Sequence, residues 1–242
     1  MWLPGVARRQ DWPTLLANWA PTDNLGLRCA QLTARQATGK VDPQWISEAQ
    51  DLWRKNGKSL PDACDAVFAV LQAQGGMSDA LRWERVDAAA DAQQPAVMRS
   101  AARGLPAADL ALANTYAAFV DKPNASALNW PRNERSRRIA TDGLEKLAKA
   151  DPGATEQQLP QYAQALGLSA EQQAQVRYQI ALWTVASYLP HSARPLNAVP
   201  ESANADPLHD WRVRRAMSRG HWPARPTAIR TMGRKPPTAC TR

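Results

Sequence analysis

Three cysteines are the residues of this chain with the most specific chemistry, and their positions leave two interpretations open. Cys29 and Cys64 fall on predicted helices about one helical hairpin apart, where stacked neighbours could bring their Cβ atoms within disulfide distance. The residues alone favour two buried free thiols over a disulfide. Cys240 lies in the tail and is expected to be unpaired. Because the sequence contains no Cys-x-x-Cys pair, we expect no zinc site.

Histidines and carboxylates show no catalytic pattern. No histidine pair flanks a glutamate at i and i+4, so surface or capping positions are expected for the three histidines, His191, His209 and His221. The glutamates on helices are predicted to lie on polar faces beside arginine or lysine: Glu134, Glu145, Glu156 and Glu171. None is expected in an apolar setting that would raise its pKa for acid catalysis. With no phosphate-binding loop and no Gly-x-Ser-x-Gly turn, the sequence predicts no catalytic residue, no cofactor and no metal.

Helices are the elements that must position these side chains. The chain is rich in Ala, Gln, Leu and Arg and poor in strand-favouring residues, and its 19 prolines favour many short helices over a few long ones. Apolar periodicity and cap residues predict an all-α protein with the following helices: 6–19 interrupted near Pro13, 25–37, 43–55, 62–74, 79–91, 95–104, 109–120, 133–150, 156–166 and 169–188.

Short helical hairpins of this kind bury their apolar faces only by stacking on one another, which predicts an irregular α-solenoid. We expect a helical-hairpin scaffold over residues 1–189, a Pro- and Ala-rich loop over 190–207, a further helical unit over 208–233, and a disordered or aberrant tail over 234–242. No polar capping helix precedes that tail, so a truncated gene product and self-association through an uncapped solenoid end are expected.

The positive charge of the chain is concentrated near its end. The formal net charge is +8, and residues 205–242 hold nine Arg or Lys against two Asp. No aromatic-interleaved pattern accompanies these cations, so a solvated segment is favoured over nucleic-acid binding. No window of about 18 apolar residues predicts a membrane span. The N-terminus shows no signal-peptide pattern, so the residues alone indicate a cytosolic protein.

Three sequence blocks resemble the U-shaped superhelical domain of the soluble lytic murein transglycosylases of Gram-negative bacteria. They are Ala7 to Trp12 with Leu15 and Leu16, Cys29 near the start of a helix, and Glu48 to Asp65. The last block is the most specific: it contains Leu-Trp followed by Gly-Lys-Ser-x-Pro-x-Ala-Cys-Asp. The resemblance covers residues 7 to about 106 and implies a right-handed superhelix of stacked helix hairpins.

The resemblance changes three expectations. It implies a disulfide between Cys29 and Cys64, and with it a periplasmic location. It also implies an enzyme family that cleaves the β-1,4 bond between N-acetylmuramic acid and N-acetylglucosamine, gives a 1,6-anhydro product and needs no metal or cofactor. The family's catalytic motif Glu-Ser-x-x-Asn-Pro is only superficially similar to Glu201-Ser202-Ala203-Asn204, and its Gly-Leu-Met-Gln and Ala-Tyr-Asn-Ala-Gly blocks do not follow.

We therefore expect a non-catalytic scaffold part of such an enzyme, inactive alone, whose partners are peptidoglycan glycan strands and, as further candidates, other cell-wall enzymes. The alternative is a stand-alone interaction module of the tetratricopeptide type that binds a protein in its concave groove. Nucleic-acid binding through the basic segment is a third, less favoured interpretation.

Overall fold

The structure, a computed structural model, describes residues 2–186 and 193–200. Within those ranges the secondary structure is helical and contains no strand, which confirms the predicted all-α class. The chain divides into two compact units, 1–130 and 131–242. The predicted further helical unit at 208–233, the predicted tail and all three histidines lie outside the described residues.

The first unit consists of eight α-helices and two short 3-10 helices among the described residues. They are α1 Leu3–Arg8, α2 Trp12–Ala17, α3 Leu25–Ala37, α4 Pro43–Arg54, a 3-10 helix Asp62–Cys64, α5 Asp65–Ala73, α6 Asp79–Asp91, α7 Pro95–Ala101, α8 Ala107–Asp121 and a 3-10 helix Ala125–Asn129. Side-chain oxygens cap several N-termini by accepting backbone N–H groups, as the sequence predicts for Asp11, Asp42 and Ser78.

The main core of the first unit lies where α3, α4, α5 and α6 meet. Its buried members are apolar side chains from all four helices together with the two cysteines: Cys29, Leu32, Trp45, Ala49, Leu52, Cys64, Val67, Leu71 and Leu81. A smaller cluster joins α1 and α2 to α3 through Val6, Leu15, Ala30 and Ala34. α3 is therefore buried on two sides, which fixes it as the central helix of this part of the unit.

The second unit contains three long helices and one short one among the described residues. They are α9 Glu134–Ala150, α10 Pro152–Leu166, α11 Ala170–Ala186 and α12 Ala193–Ala198. α10 begins four residues earlier than predicted, because Asp151 caps it by accepting from the Ala154 N–H and Pro152 occupies its first turn. α12 lies within the segment predicted as a loop, and Val199 packs against Ala181 and Val185 of α11.

Candidate functional site

The α3–α4 hairpin carries Cys29, one of the two predicted site residues, and it borders the cleft described below. Asn24 Oδ1 accepts the Leu27 N–H at 3.0 Å and Asp42 Oδ1 accepts the Trp45 N–H at 2.7 Å, so both helices start at capped ends. The indole Nε1 of Trp45, a fully buried side chain, donates to the Leu32 carbonyl oxygen at 2.8 Å. That hydrogen bond satisfies the buried indole and fixes the packing of α4 against α3.

The disulfide implied by the family resemblance is present. Cys29 on α3 and Cys64 at the end of the first 3-10 helix are bonded, with Cα atoms 4.9 Å apart. Both residues are fully buried in the main core. The bond closes a loop that contains α4, because the two cysteines are 35 positions apart in sequence. It therefore fastens the start of α5 to the central helix α3.

Gly57 allows α4 and α6 to approach closely. A Cβ atom at this position would overlap the carbonyl oxygen of Ala88 on α6 and lie 2.6 Å from its carbonyl carbon. α4 is also joined to α6 by the Trp53 Nε1, which donates to the Leu81 carbonyl oxygen at 3.2 Å, and the Asn56 side-chain amide closes the end of α4 by donating to the Leu52 carbonyl oxygen at 2.6 Å. The close approach of Ala88 therefore explains why the most specific sequence block has a glycine at position 57.

Arg85 connects α6 to the same block. Its guanidinium carbon lies 4.4 Å from the centre of the Trp53 ring and 5.8 Å from that of Phe68. Its Nη1 donates to the Trp53 carbonyl oxygen at 3.3 Å. Burial lowers the pKa of Arg85 to about 10, which still leaves the group charged at neutral pH. The cation is stabilised by the ring faces instead of by a carboxylate. Sequence analysis did not identify this role.

A cleft of about 610 Å³ opens between α3, α4 and the segment that precedes α3. We call it the polar cleft and define it by six of its lining residues: Trp19, Arg28, Gln31, Arg35, Gln44 and Glu48. Arg28, Gln31 and Arg35 of α3 are three and four residues apart, and Gln44 and Glu48 of α4 are four residues apart. These spacings place the lining residues of each helix on one face of that helix. Sequence analysis missed the cleft, although this spacing was visible.

One side of the polar cleft is a network of ion pairs centred on Arg35. Its guanidinium donates to Asp42 at 3.0 Å and to Glu48 at 2.9 Å, while the Gln44 amide donates to the other Glu48 oxygen at 2.8 Å. The backbone N–H of Trp45 and the charge of Arg35 lower the pKa of Asp42. Arg35 is 12% exposed in its side chain, so the network is a fixed wall.

The other side of the polar cleft presents groups without hydrogen-bond partners. Within the described residues, the side chains of Trp19, Arg28 and Gln31 make no hydrogen bond, and all three are partly exposed. Arg28 contributes, after Lys55 and Arg54, to the lowered pKa of Asp51 on α4. The cleft therefore combines an aromatic ring, one cation without a hydrogen bond and an amide that are all free to contact a ligand.

The carboxylates differ from the sequence prediction at one position. Glu145 of α9 is half-buried, and burial and then the charge of Asp142 raise its pKa, so the expectation that no carboxylate has such a setting was wrong. Lys149, four residues after Glu145 on α9, has its Nζ 5.2 Å from the centre of the Trp183 ring. Helix periodicity places a residue on a face but does not show how far α10 and α11 cover that face.

The remaining predicted positions add no site within the described residues. No group of three or more His, Cys, Asp or Glu side chains that could hold a metal ion occurs in that part of the chain. No helix there is both long and apolar enough to cross a membrane. The stretch Glu201 to Asn204 and Cys240 lie outside the described residues.

Sequence comparison identifies relatives of known name. Over 184 residues, 74% of this chain, it is 29% identical to the soluble lytic murein transglycosylases of Salmonella typhimurium and Escherichia coli. The chain spans 28% of the length of these relatives. No family model matches it. The comparison confirms the resemblance that the sequence blocks indicate.

Structure comparison supports the same fold. The 70-kDa soluble lytic transglycosylase of Escherichia coli is similar with a TM-score of 0.66 at 23% identity, covering 90% of this chain and 41% of that one. An inactive mutant of the lytic transglycosylase Slt from Pseudomonas aeruginosa is similar with a TM-score of 0.63 at 24% identity. The similarity covers 96% of this chain and 38% of that one. At these identities the likeness shows the helical fold.

Proposed function

Because this chain is related by sequence to the soluble lytic murein transglycosylases, we propose that it forms a non-catalytic scaffold part of such an enzyme. In the complete enzyme, a catalytic part outside the described helices would cleave the β-1,4 bond between N-acetylmuramic acid and N-acetylglucosamine and leave 1,6-anhydro-muropeptides. The helices described here would hold glycan strands near that part. The alternative, a tetratricopeptide-type interaction module, is not favoured by the comparisons.

One observation carries the proposal: three residues of the most specific block, Trp53, Gly57 and Cys64, make contacts that join helices. Its glycine permits the contact with α6, its tryptophan Trp53 packs on Arg85, and its cysteine closes the disulfide. In this block the side chains form core contacts and hydrogen bonds between helices, and such residues specify a framework. Two carboxylates of this block, Glu48 and Asp51, form ion pairs with Arg35 and Lys55. The hydrogen bond from Lys55 lowers the pKa of Asp51, whereas a general acid needs a raised pKa.

The disulfide supports a periplasmic location for the proposed scaffold. Disulfides form and persist in oxidising compartments and are rare in the cytosol. Cys29 and Cys64 lie fully buried, so a cytosolic protein of this fold would hold two thiols at bonding distance in its main core. We therefore propose that the scaffold works in the periplasm, with peptidoglycan as its partner and other cell-wall enzymes as further candidates.

Product analysis tests the non-catalytic role. The purified chain is incubated with murein sacculi, and the soluble products are separated and identified by mass spectrometry, with a complete soluble lytic transglycosylase as the positive control. We expect the control to release 1,6-anhydro-muropeptides and this chain to release none above the level of a heat-denatured sample. Sustained release by this chain alone would contradict the proposal.

A further inference from the structure

We propose that the polar cleft binds an acidic saccharide, a sugar unit that carries a carboxylate. The inference rests on the proposed function in one respect only: murein supplies such sugars. It adds a binding site to the scaffold. Its residues come from α3, from α4 and from the segment before α3, all within the first unit.

Arg28 is the group that selects a carboxylate. A guanidinium presents paired N–H donors that match the two oxygens of a carboxylate, and such charge-assisted hydrogen bonds are among the stronger ones in proteins. In the polar cleft, Arg35 already donates to Asp42 and Glu48, whereas Arg28 makes no hydrogen bond within the described residues. Arg28 already interacts electrostatically with Asp51, and the carboxylate of Asp23 also lines the cleft, but of these two guanidiniums Arg28 is the one whose N–H donors remain available to an anion.

Trp19 and Gln31 suit the sugar ring itself. A tryptophan face offers a broad apolar surface beside a polar N–H, which matches a pyranose that has C–H groups on its faces and hydroxyls at its edge. The Trp19 indole N–H makes no hydrogen bond within the described part of the chain, and neither does the Gln31 amide. Together they provide donors and one acceptor for hydroxyl or acetamide groups.

The backbone of α3 and α4 and the Arg35 wall of the cleft are held in place without a ligand, which reduces the part of the ordering cost that falls on them. Arg35 is immobilised by its two carboxylates, and the Trp45 indole ties α4 to α3 directly behind this wall. The disulfide holds α3 from its opposite, buried side through Cys29. The volume of about 610 Å³ accommodates a sugar unit with its substituent.

Three small probes separate the carboxylate from the sugar that carries it. N-acetylglucosamine has no carboxylate, N-acetylmuramic acid adds one on a lactyl ether, and N-acetylmuramoyl-L-alanyl-D-isoglutamine carries it on an attached peptide. The probes are titrated into the full chain while the indole N–H signals are followed by NMR, with Trp19 assigned from a Trp19→Phe variant. We expect at least one carboxylate probe to bind about tenfold more tightly than N-acetylglucosamine.

The Arg28→Gln variant tests the selecting residue. We expect it to weaken the carboxylate probes about tenfold, to the level of N-acetylglucosamine, and to remove the salt dependence of their binding. Arg99→Gln is the matched control, because it removes the same charge from an exposed position of α7 outside the cleft. Circular dichroism and urea unfolding verify that each variant folds like the wild type.

The outcomes are distinct. Equal binding of the three probes, no binding of any of them, or unchanged binding by Arg28→Gln would overturn the inference. Which carboxylate probe binds more tightly identifies the source of the carboxylate. Co-sedimentation of the wild type with sacculi is measured in parallel. If the wild type sediments with sacculi but binds none of the three probes, this inference alone is overturned. If the wild type does not sediment with sacculi, the proposed function is overturned.

Discussion

At the scale of single residues, the Arg85 side chain of α6, the Trp53 side chain of α4 and the absent side chain of Gly57 in the loop after α4 determine how these helices meet. Gly57 lies so close to Ala88 that no Cβ fits between them. Arg85 lies over Trp53 on the same pair of elements, and Leu81 accepts the hydrogen bond of the Trp53 indole. The contact is therefore short, partly polar and intolerant of added volume.

Gly57→Ala should destabilise the chain by about 1–3 kcal/mol, because the added methyl group forces α6 away from the loop. Urea unfolding followed by circular dichroism measures the change. Gly5→Ala is the control, since its Cβ would meet only the end of Arg9 at 3.6 Å in a helix that alanine favours. If Gly57→Ala unfolds at the wild-type urea concentration, the close approach does not exist in solution.

Glu145 gives the residue-scale prediction that depends on pH. Burial first, and the charge of Asp142 second, raise its folded-state pKa. A raised carboxyl pKa means that its contribution to stability is full at acidic pH and is lost as the pH rises through the folded-state pKa. Glu145→Gln should therefore stabilise the chain at pH 7 and leave it unchanged near pH 3. Glu156→Gln serves as the control, and an equal effect at both pH values would contradict the assignment.

The role of a residue can be predicted from sequence when its partners lie a few positions away in the chain. It cannot be predicted when the role depends on how helices pack against one another. Ser78 and Asp42 are predictable as caps because the partner N–H groups lie three residues on. The polar cleft depends on how the consecutive helices α3 and α4 face each other, and the pKa of Glu145 depends on how deeply that residue is buried in the second unit; periodicity within one helix gives neither.

At the scale of elements, the disulfide and the helix caps decide the stability of the first unit. α3 has the bounds that the sequence predicts, 25–37, because Asn24 and Gly39 mark its two ends. α10 starts earlier than predicted because Asp151-Pro152-Gly153 was interpreted as a break, whereas Asp and Pro are the cap and first-turn residues. The pairing of Cys29 with Cys64 came from the family resemblance, because the spacing left free thiols open.

Replacing both cysteines, Cys29→Ser with Cys64→Ser, should lower the free energy of unfolding by about 3–4 kcal/mol. The loop that the bond closes spans 35 positions, and the unfolded chain regains the entropy of that loop when the bond is absent. Cys240→Ser is the matched control and should leave the urea midpoint unchanged. Identical midpoints for the wild type with and without a reducing agent would contradict the prediction.

Ser78→Ala tests the capping of α6, the helix on which Gly57 and Trp53 converge. Its hydroxyl accepts the Leu81 N–H at 3.2 Å, and its loss should cost about 1 kcal/mol. Ser100→Ala is the control, because Ser100 lies exposed inside α7 and its side chain makes no hydrogen bond within the described residues. Thermal unfolding of both variants measures the difference, and equal melting temperatures would refute the cap.

At the scale of the whole molecule, the described chain is a set of packed helices in two units, and its comparisons relate it to part of a larger enzyme. The all-α class followed from composition and periodicity. The solenoid geometry remains a prediction. The family resemblance followed from a block of residues that, in the structure, joins the loop after α4 to α6 and the start of α5 to α3. The motif could be identified from the sequence, whereas its structural role could be identified only from the contacts that its residues make.

Co-sedimentation with purified murein sacculi tests the central claim, that a disulfide-fastened helical framework engages the cell wall. The oxidised wild type, the double cysteine variant and a Cys240→Ser control are each mixed with sacculi, centrifuged and quantified in the pellet. We predict that the wild type and the Cys240→Ser control are retained equally and that the double cysteine variant is retained less at 37 °C. Absence of the oxidised wild type from the pellet at low salt would contradict the account.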